Sequence, residues 1–288
     1  MNIIKFNNSI LKYGGKWLNS DGTPTPTPPV DPYNPLNLPP NTIRVKFTSG
    51  YTPTMGDSQT LVDSTNNIWD IYKSSNRWGS LFMPDTTLYN TTLLEVLGAN
   101  TSNVTNMRNI FWGCISLTSV PLFDTSNVRD MAGMFNDCRT LISVPLYDTS
   151  NVTTMATMFY DCISLSSVPL FNTSKVTHMG TMFAYCTALT TIPLFDTSNV
   201  TIMEYMLQNC TNLTTIPLFD TSKVTNMDYM CQDCVNVESG ALALYQQASS
   251  QTTPPNNHSY TIYNCGKNTT SGAAELAQIP NSWGGKGA

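Results

Sequence analysis

The sequence predicts an α/β repeat fold. The expected form is a right-handed β-solenoid of 24-residue coils, each with a short helical turn, capped at both ends. Three observations predict it. Cys114, Cys138, Cys162, Cys186, Cys210 and Cys234 follow one another at intervals of 24 residues without an insertion. In each unit, residues such as Met107, Ile110, Phe111 and Cys114 fall at i, i+3, i+4 and i+7, the apolar stripe of a short helix. Each unit has a single apolar edge, which it can bury only by stacking on its neighbours.

Composition excludes several classes. Charged residues make up 11 % of the chain, the formal net charge is −5, and Lys plus Arg total 14. Nucleic acid is therefore not an expected partner, because that binding needs a basic stripe. No run of 18 apolar residues could form a membrane-spanning helix, so no membrane insertion is expected. The N-terminal MNIIKFNNSILKYGGKWL lacks a continuous apolar stretch and a small-residue cleavage site, so it is not expected to act as a signal peptide.

The chain divides in order. Residues 1–22 form a segment too apolar for a free tail and too short to bury that surface alone, which predicts an anchor. Residues 23–41 hold eight of the 18 prolines and predict a semi-rigid polyproline II linker. Residues 42–92 are expected to cap the N-terminal end of the stack. There Ile43, Val45 and Phe47 alternate with polar residues as in a strand, and Ile68, Trp69, Ile71 and Tyr72 suggest a short helix or turn.

Residues 93–239 carry six repeats. Leu93, Val96 and Asn100 begin a degenerate half unit 24 residues before Leu117, Val120 and Asp124. Leu117, Val120 and Leu122 are expected in the core, with a short strand that stops at Val120 or turns the missing N–H of Pro121 outward. Asp124–Asn127 reads as a turn. Residues 240–288 are expected to cap the C-terminal end. They comprise a helix over 241–249, a strand over 258–266, a helix over 271–279 and Trp283 packed on the cap.

The unit resembles the BspA-type leucine-rich repeat in its D-T-S-N-V-T-x-M-x-x-M-F-x-x-C-x-x-L form, across residues 93–239. The resemblance implies a leucine-rich-repeat-like β-solenoid and interaction roles, and it brings no catalytic motif. Repeats of this form are found in bacterial surface proteins and in proteins of gut phages and prophages. The short anchor, the proline linker and the absent signal peptide look more like a virion component. The expectation is a non-enzymatic phage structural protein in the virion. It would attach to a virion protein through residues 1–22 and present the solenoid to a host-surface glycan or protein. The alternative is a bacterial cell-surface adhesin or protein-interaction module. A homo-oligomer is compatible with either, although no heptad repeat sets its number.

No constellation of acid, base and nucleophile emerges. His178 and His258 lie in different regions, and the His178 slot holds Asn106, Asp130, Thr154, Ile202 and Asn226 in other units. No enzyme activity, cofactor or metal is expected. The six in-register cysteines predict buried small hydrophobes rather than disulfides. Cys231-x-x-Cys234 is half a zinc site, with only Cys265 and His258 to complete it. Cys231, however, occupies the core slot of Phe111. Asp124, Asp148, Asp196 and Asp220, interrupted by Asn172, could hold cations or cap turns; Asn172 caps without charge and favours the caps.

Candidate binding residues are the outward positions that fail to repeat. They are Trp112, Asn136, Tyr160, Tyr185, Tyr205 and Tyr229, weighed against an ordinary solvent face. The regular row Phe123, Tyr147, Phe171, Phe195 and Phe219 predicts core stacking rather than a ligand platform.

Overall fold

The structure is a computed structural model that describes residues 34–82 and 90–287, together with the backbone of 5–6, 10–13 and 16–19. The side chains of the expected anchor and residues 23–33 of the expected linker lie outside the described residues. The three N-terminal strands, β1 (Lys5–Phe6), β2 (Ile10–Tyr13) and β3 (Lys16–Asn19), form one antiparallel sheet in that order.

A second antiparallel sheet has the order β5-β6-β4-β7, from β4 (Thr42–Phe47), β5 (Ser58–Asp63), β6 (Ile68–Tyr72) and β7 (Leu93–Asn100). The alternation of Ile43, Val45 and Phe47 buries all three. Ile68–Tyr72 is a strand, not the expected helix or turn, because its backbone is taken up on both sides by β4 and β5. The half unit beginning at Leu93 belongs to this sheet as β7, paired with β4.

The sheet leads into a stack of coils. Parallel bridges link Arg77, Asn106, Asp130, Thr154, His178, Ile202, Asn226 and Asn257 in succession. Backbone bonds show why no helix forms in the coils. Met107, Asn109, Phe111 and Gly113 donate to Asp130, Ala132, Met134 and Asn136 of the next coil at 2.8–3.0 Å. Between them, Ile110, Trp112 and Cys114 donate three residues back to Met107, Asn109 and Phe111. Alternate N–H groups thus leave the coil, and none remain for the i→i−4 pattern of an α-helix. Asn109 (φ 57°) and Gly113 (φ 71°) sit at the second central position of the first and third of these turns, the left-handed site of a type II turn. The expected helical turn is corrected to a run of three overlapping turns. Among the described residues, α-helix occurs only at α1 (Ala241–Ser249) and α2 (Thr270–Leu276), beside a 3-10 turn at Asn281–Trp283. No helix among them is long and apolar enough to cross a membrane.

The core runs unbroken along the stack. Phe82, Phe111, Phe135, Phe159 and Phe183 stack face to face with centroids 5.5–5.7 Å apart. The second aromatic row is buried beside it, with Phe123 and Tyr147 5.7 Å apart and Phe171 and Phe195 6.4 Å apart. All eight cysteines are free and buried, and burial pushes their thiols up in pKa. Cys138, Cys162, Cys186, Cys210 and Cys234 each donate Sγ–H to a backbone carbonyl of the preceding coil at 3.0–3.1 Å.

Two expectations fail here. No strand is assigned at Leu117–Val120. The Leu122 slot leaves the core: Leu122 itself is only partly buried, and Leu146, Leu170, Leu194 and Leu218 are 51–61 % exposed. In two coils a two-residue bond accompanies this reversal. Phe195 donates to Pro193 at 3.0 Å and Phe219 to Pro217 at 2.9 Å, so the chain makes a γ-turn centred on the leucine. That turn sends the aromatic inward and the leucine out.

The C-terminal segment differs in a similar way. Residues 258–266 are turns, not a strand, and they add a further rung. Met227, Tyr229, Cys231 and Asp233 donate to Asn257, Ser259, Thr261 and Tyr263. Trp283 is buried as expected, stacked on His258 at 4.2 Å and meeting Tyr245 edge-on at 5.4 Å.

Candidate functional site

The six candidate residues all lie on the turn run of their coils. Trp112, Asn136 and Tyr160 occupy one slot in three successive coils. Tyr185, Tyr205 and Tyr229 occupy the left-handed positions, with φ of 65°, 54° and 57°. A bulky side chain is uncommon there. Other coils use Gly113, Gly133 and Asn109 at the corresponding sites.

The structure brings these residues together as two pairs. Tyr160 and Tyr185 meet edge to face at 5.6 Å and 68°. Tyr205 and Tyr229 stack at 4.9 Å and 3°. No ring contact joins the two pairs, or Trp112 to either, among the described residues. Asn136 turns its amide oxygen inward, where it finds no hydrogen-bond partner among those residues.

The two pairs offer different chemistry. The Tyr205–Tyr229 stack continues to Tyr260 at 5.5 Å and ends edge-on at Tyr263. Tyr229 therefore has both ring faces covered and presents only its edge and hydroxyl. Partial burial, then the neighbouring Tyr229, raise the Tyr205 phenol in pKa. An edge-to-face pair leaves one ring face uncovered by its partner, the surface a sugar ring or an apolar side chain can lie on. Tyr160–Tyr185 is such a pair, and Tyr185 is 36 % exposed.

Charge sits beside this pair. Arg139 bonds Asp161 through Nε at 2.8 Å and Asp137 through Nη2 at 3.1 Å. Burial first, then a hydrogen bond with Asp137, raise the Asp161 carboxyl above the usual range, while Arg139 pulls it back. The two carboxylates are 14 and 18 % exposed and engaged by one guanidinium, so only their remaining lone pairs are open to a further hydroxyl or amide donor.

Sequence reasoning missed Tyr260 and Tyr263. Their rung follows its predecessor by 31 residues because α1 is inserted, which hides the period. The signal that could have revealed it is the spacing of Tyr229 to Cys234, repeated in Tyr260 to Cys265. The acidic row caps turns. Asp124, Asp148, Asp196 and Asp220 accept from the N–H of the serine two residues on at 2.8–3.1 Å, and Asn172 does the same at 3.2 Å.

With this geometry in view, comparison with known proteins places the repeat region. Residues 85–192 and 140–243, together more than half the chain, match a family described as "Mycoplasma protein of unknown function, DUF285". The chain belongs to the DUF285 family. The matched stretch contains the repeats that resemble the BspA type, so the protein is leucine-rich-repeat-like. A crystal structure of a leucine-rich repeat protein from Eubacterium ventriosum is similar at 20 % identity and a TM-score of 0.37, over 47 % of this chain and 36 % of that one. No curated protein matches the chain.

Proposed function

We propose that this DUF285 protein is a non-enzymatic recognition module, a leucine-rich-repeat-type solenoid whose turn-run ridge binds a surface glycan or protein. The observation that carries the reading is the Tyr160–Tyr185 pair set against the Asp137–Arg139–Asp161 cluster. Partly exposed tyrosine rings set edge to face lie beside a pair of carboxylates, a combination suited to an amphipathic ligand such as a sugar. These positions vary from coil to coil while the core positions repeat, which is how a stack can carry one local site on a uniform scaffold.

The finer reading is display from a phage virion, with residues 1–22 attached to a virion protein and the stack directed at the host. Its support is the sequence order of apolar segment, proline-rich stretch and repeat body. A bacterial cell-surface adhesin uses the same ridge in the same way.

The test is a glycan array and a host-cell binding assay with the full chain, repeated with Tyr160→Ala and Tyr185→Ala. Both side chains are partly or largely exposed, so the variants should fold. Binding that drops about tenfold or more in each variant supports the ridge. Binding that both variants retain removes the ridge from the account.

A further inference from the structure

Charge on the ridge is one-sided. The turn runs occupy 106–115, 130–139, 154–163, 178–187, 202–211 and 226–235. They hold six carboxylates, Asp130, Asp137, Asp161, Glu204, Asp228 and Asp233, against two guanidiniums, Arg108 and Arg139. Four carboxylates in excess account for most of the chain's net −5. The stretches between these runs, 116–129, 140–153, 164–177, 188–201 and 212–225, are nearly balanced, with four carboxylates against Arg129, Lys175 and Lys223. The partners of the ridge acids leave the excess in place. Arg108 pairs with Asp130 at 2.9 Å, and Arg139 serves Asp137 and Asp161 together. Glu204, Asp228 and Asp233 meet neutral donors among the described residues. These are the Asn226 amide, the Ser259 N–H at 2.6 Å and the Asn264 amide at 2.9 Å.

The excess falls on the tyrosines. Burial first, then Tyr185, then Asp161 and Asp137 raise the Tyr160 phenol in pKa. Burial, Tyr229, Asp228 and Glu204 do the same, in that order, to Tyr205. Both ring pairs therefore stand in the negative field of the acids beside them.

We infer that the ligand of this ridge carries protonated amino groups, and that it is a glycan built from sugars with free amines. This rests on the recognition reading above and narrows it. A neutral sugar gains nothing from the excess charge, and an anionic one is repelled by it. An ammonium is drawn to the electron-rich face of a phenol, and it bonds the carboxylate lone pairs that Arg139 leaves open. An amino sugar joins both contacts within one residue. Its ring lies against the tyrosine while the amine, fixed to a ring carbon, meets the acid beside it. A lysine holds its amine at the end of a flexible four-carbon stem and has no ring to lay down. The coils also repeat the charge about every 4.8 Å, at Asp137 and Asp161 and again at Glu204 and Asp228. A chain with an amine on each sugar thus binds at several points at once.

Calorimetric titration of the full chain with a glucosamine oligomer and with its N-acetylated counterpart tests this, slightly below neutral pH where the sugar amines are charged. The free-amine oligomer should bind about tenfold more tightly than the acetylated one, and roughly 0.5 M salt should remove most of the difference. Glu204→Gln, Asp228→Asn and Asp233→Asn together should weaken its binding about tenfold. Each replacement keeps an oxygen for its neutral donor, and thermal unfolding checks that the variant is folded. Asp148→Asn, Asp196→Asn and Asp220→Asn remove the same charge from the cap row and should change the affinity less than about twofold. Equal affinity for the two oligomers, equal losses in the two triple variants, tighter binding of an oligolysine of the same length, or no binding of either sugar would overturn the proposal. The recognition reading is judged apart. An acetylated oligomer that binds as tightly as the free-amine one, and is released by Tyr160→Ala, would sink the amine requirement and leave the ridge in place.

Discussion

Each coil is fastened by a few side chains repeated in every unit. Thr101, Thr125, Thr149, Thr173 and Thr197 are buried, and each donates its hydroxyl to the carbonyl of the residue 23 positions on, in the next coil, at 2.8–2.9 Å. Valine keeps the shape but leaves that carbonyl without its partner. Thr149→Val should cost about 1–3 kcal/mol in denaturant unfolding, and Thr149→Ser should cost less because it keeps the bond. The acid caps respond to pH. Bonds from Ser150, Ser198 and Ser222 hold Asp148, Asp196 and Asp220 below the ordinary carboxylate range. A carboxyl lowered by folding contributes stability above its unfolded pKa of about 3.9 and loses it as pH falls through the folded value. Replacing all three by Asn, which caps at 172, should change the melting temperature little at pH 7. It should flatten its decline below about pH 4. At this scale the sequence was informative about the cysteines, the caps and the aromatic row, because a repeated residue type in a repeated slot reports one environment. It misled at the Leu122 slot, where the aromatic that follows is buried and Leu146, Leu170, Leu194 and Leu218 are exposed, the reverse of what strand alternation assigns.

At the scale of elements, the misreading of a helix has a definite cause. Met107, Ile110, Phe111 and Cys114 do share an inward face, but three overlapping turns place them there, and alternate N–H groups bond the next coil. An apolar stripe records which side chains point inward and not where the backbone bonds go. The helices legible in the sequence, α1 and α2, lie outside the stack, where no adjoining coil competes for their N–H groups. Where α1 begins, the chain leaves the repeat at Gly240. Its φ is 102°, and a Cβ there would lie 2.2 Å from the Ile216 carbonyl oxygen. Gly240→Ala should therefore cost at least about 2 kcal/mol, combining left-handed strain with a backbone clash. Gly50→Ala is the control. That glycine has φ 81° with nothing within 4 Å, so about 1 kcal/mol of strain is all it should lose. Thermal unfolding of the two variants side by side separates clash from strain.

For the whole molecule, the ends decide whether a one-dimensional stack holds. The bridge ladder extends one rung beyond the 24-residue period on each side, to Arg77 and to Asn257. Those rungs escape a period search because sheet strand β7 and helix α1 lengthen the connections to them. The C-terminal rung accepts hydrogen bonds from Met227, Tyr229, Cys231 and Asp233 and covers one face of the Tyr229 ring. Its own outer side is closed by Trp283, whose carbonyl accepts from Ile262 at 3.0 Å. A chain ending at residue 256 loses all of this at once. Because each unit is stabilised only by its neighbours, the loss should spread inward rather than stay at the cut. Amide exchange measures that spread. Met227, Tyr229, Cys231 and Asp233 should lose protection outright. Met203, Tyr205, Leu207 and Asn209, which bond the rung before, should exchange faster than in the full chain. Amides near Phe135, several coils away, should change least. A loss confined to the four terminal donors would mean that each coil stands alone, against the coupling inferred here; a uniform loss to Phe135 and beyond would mean the stack folds as one unit.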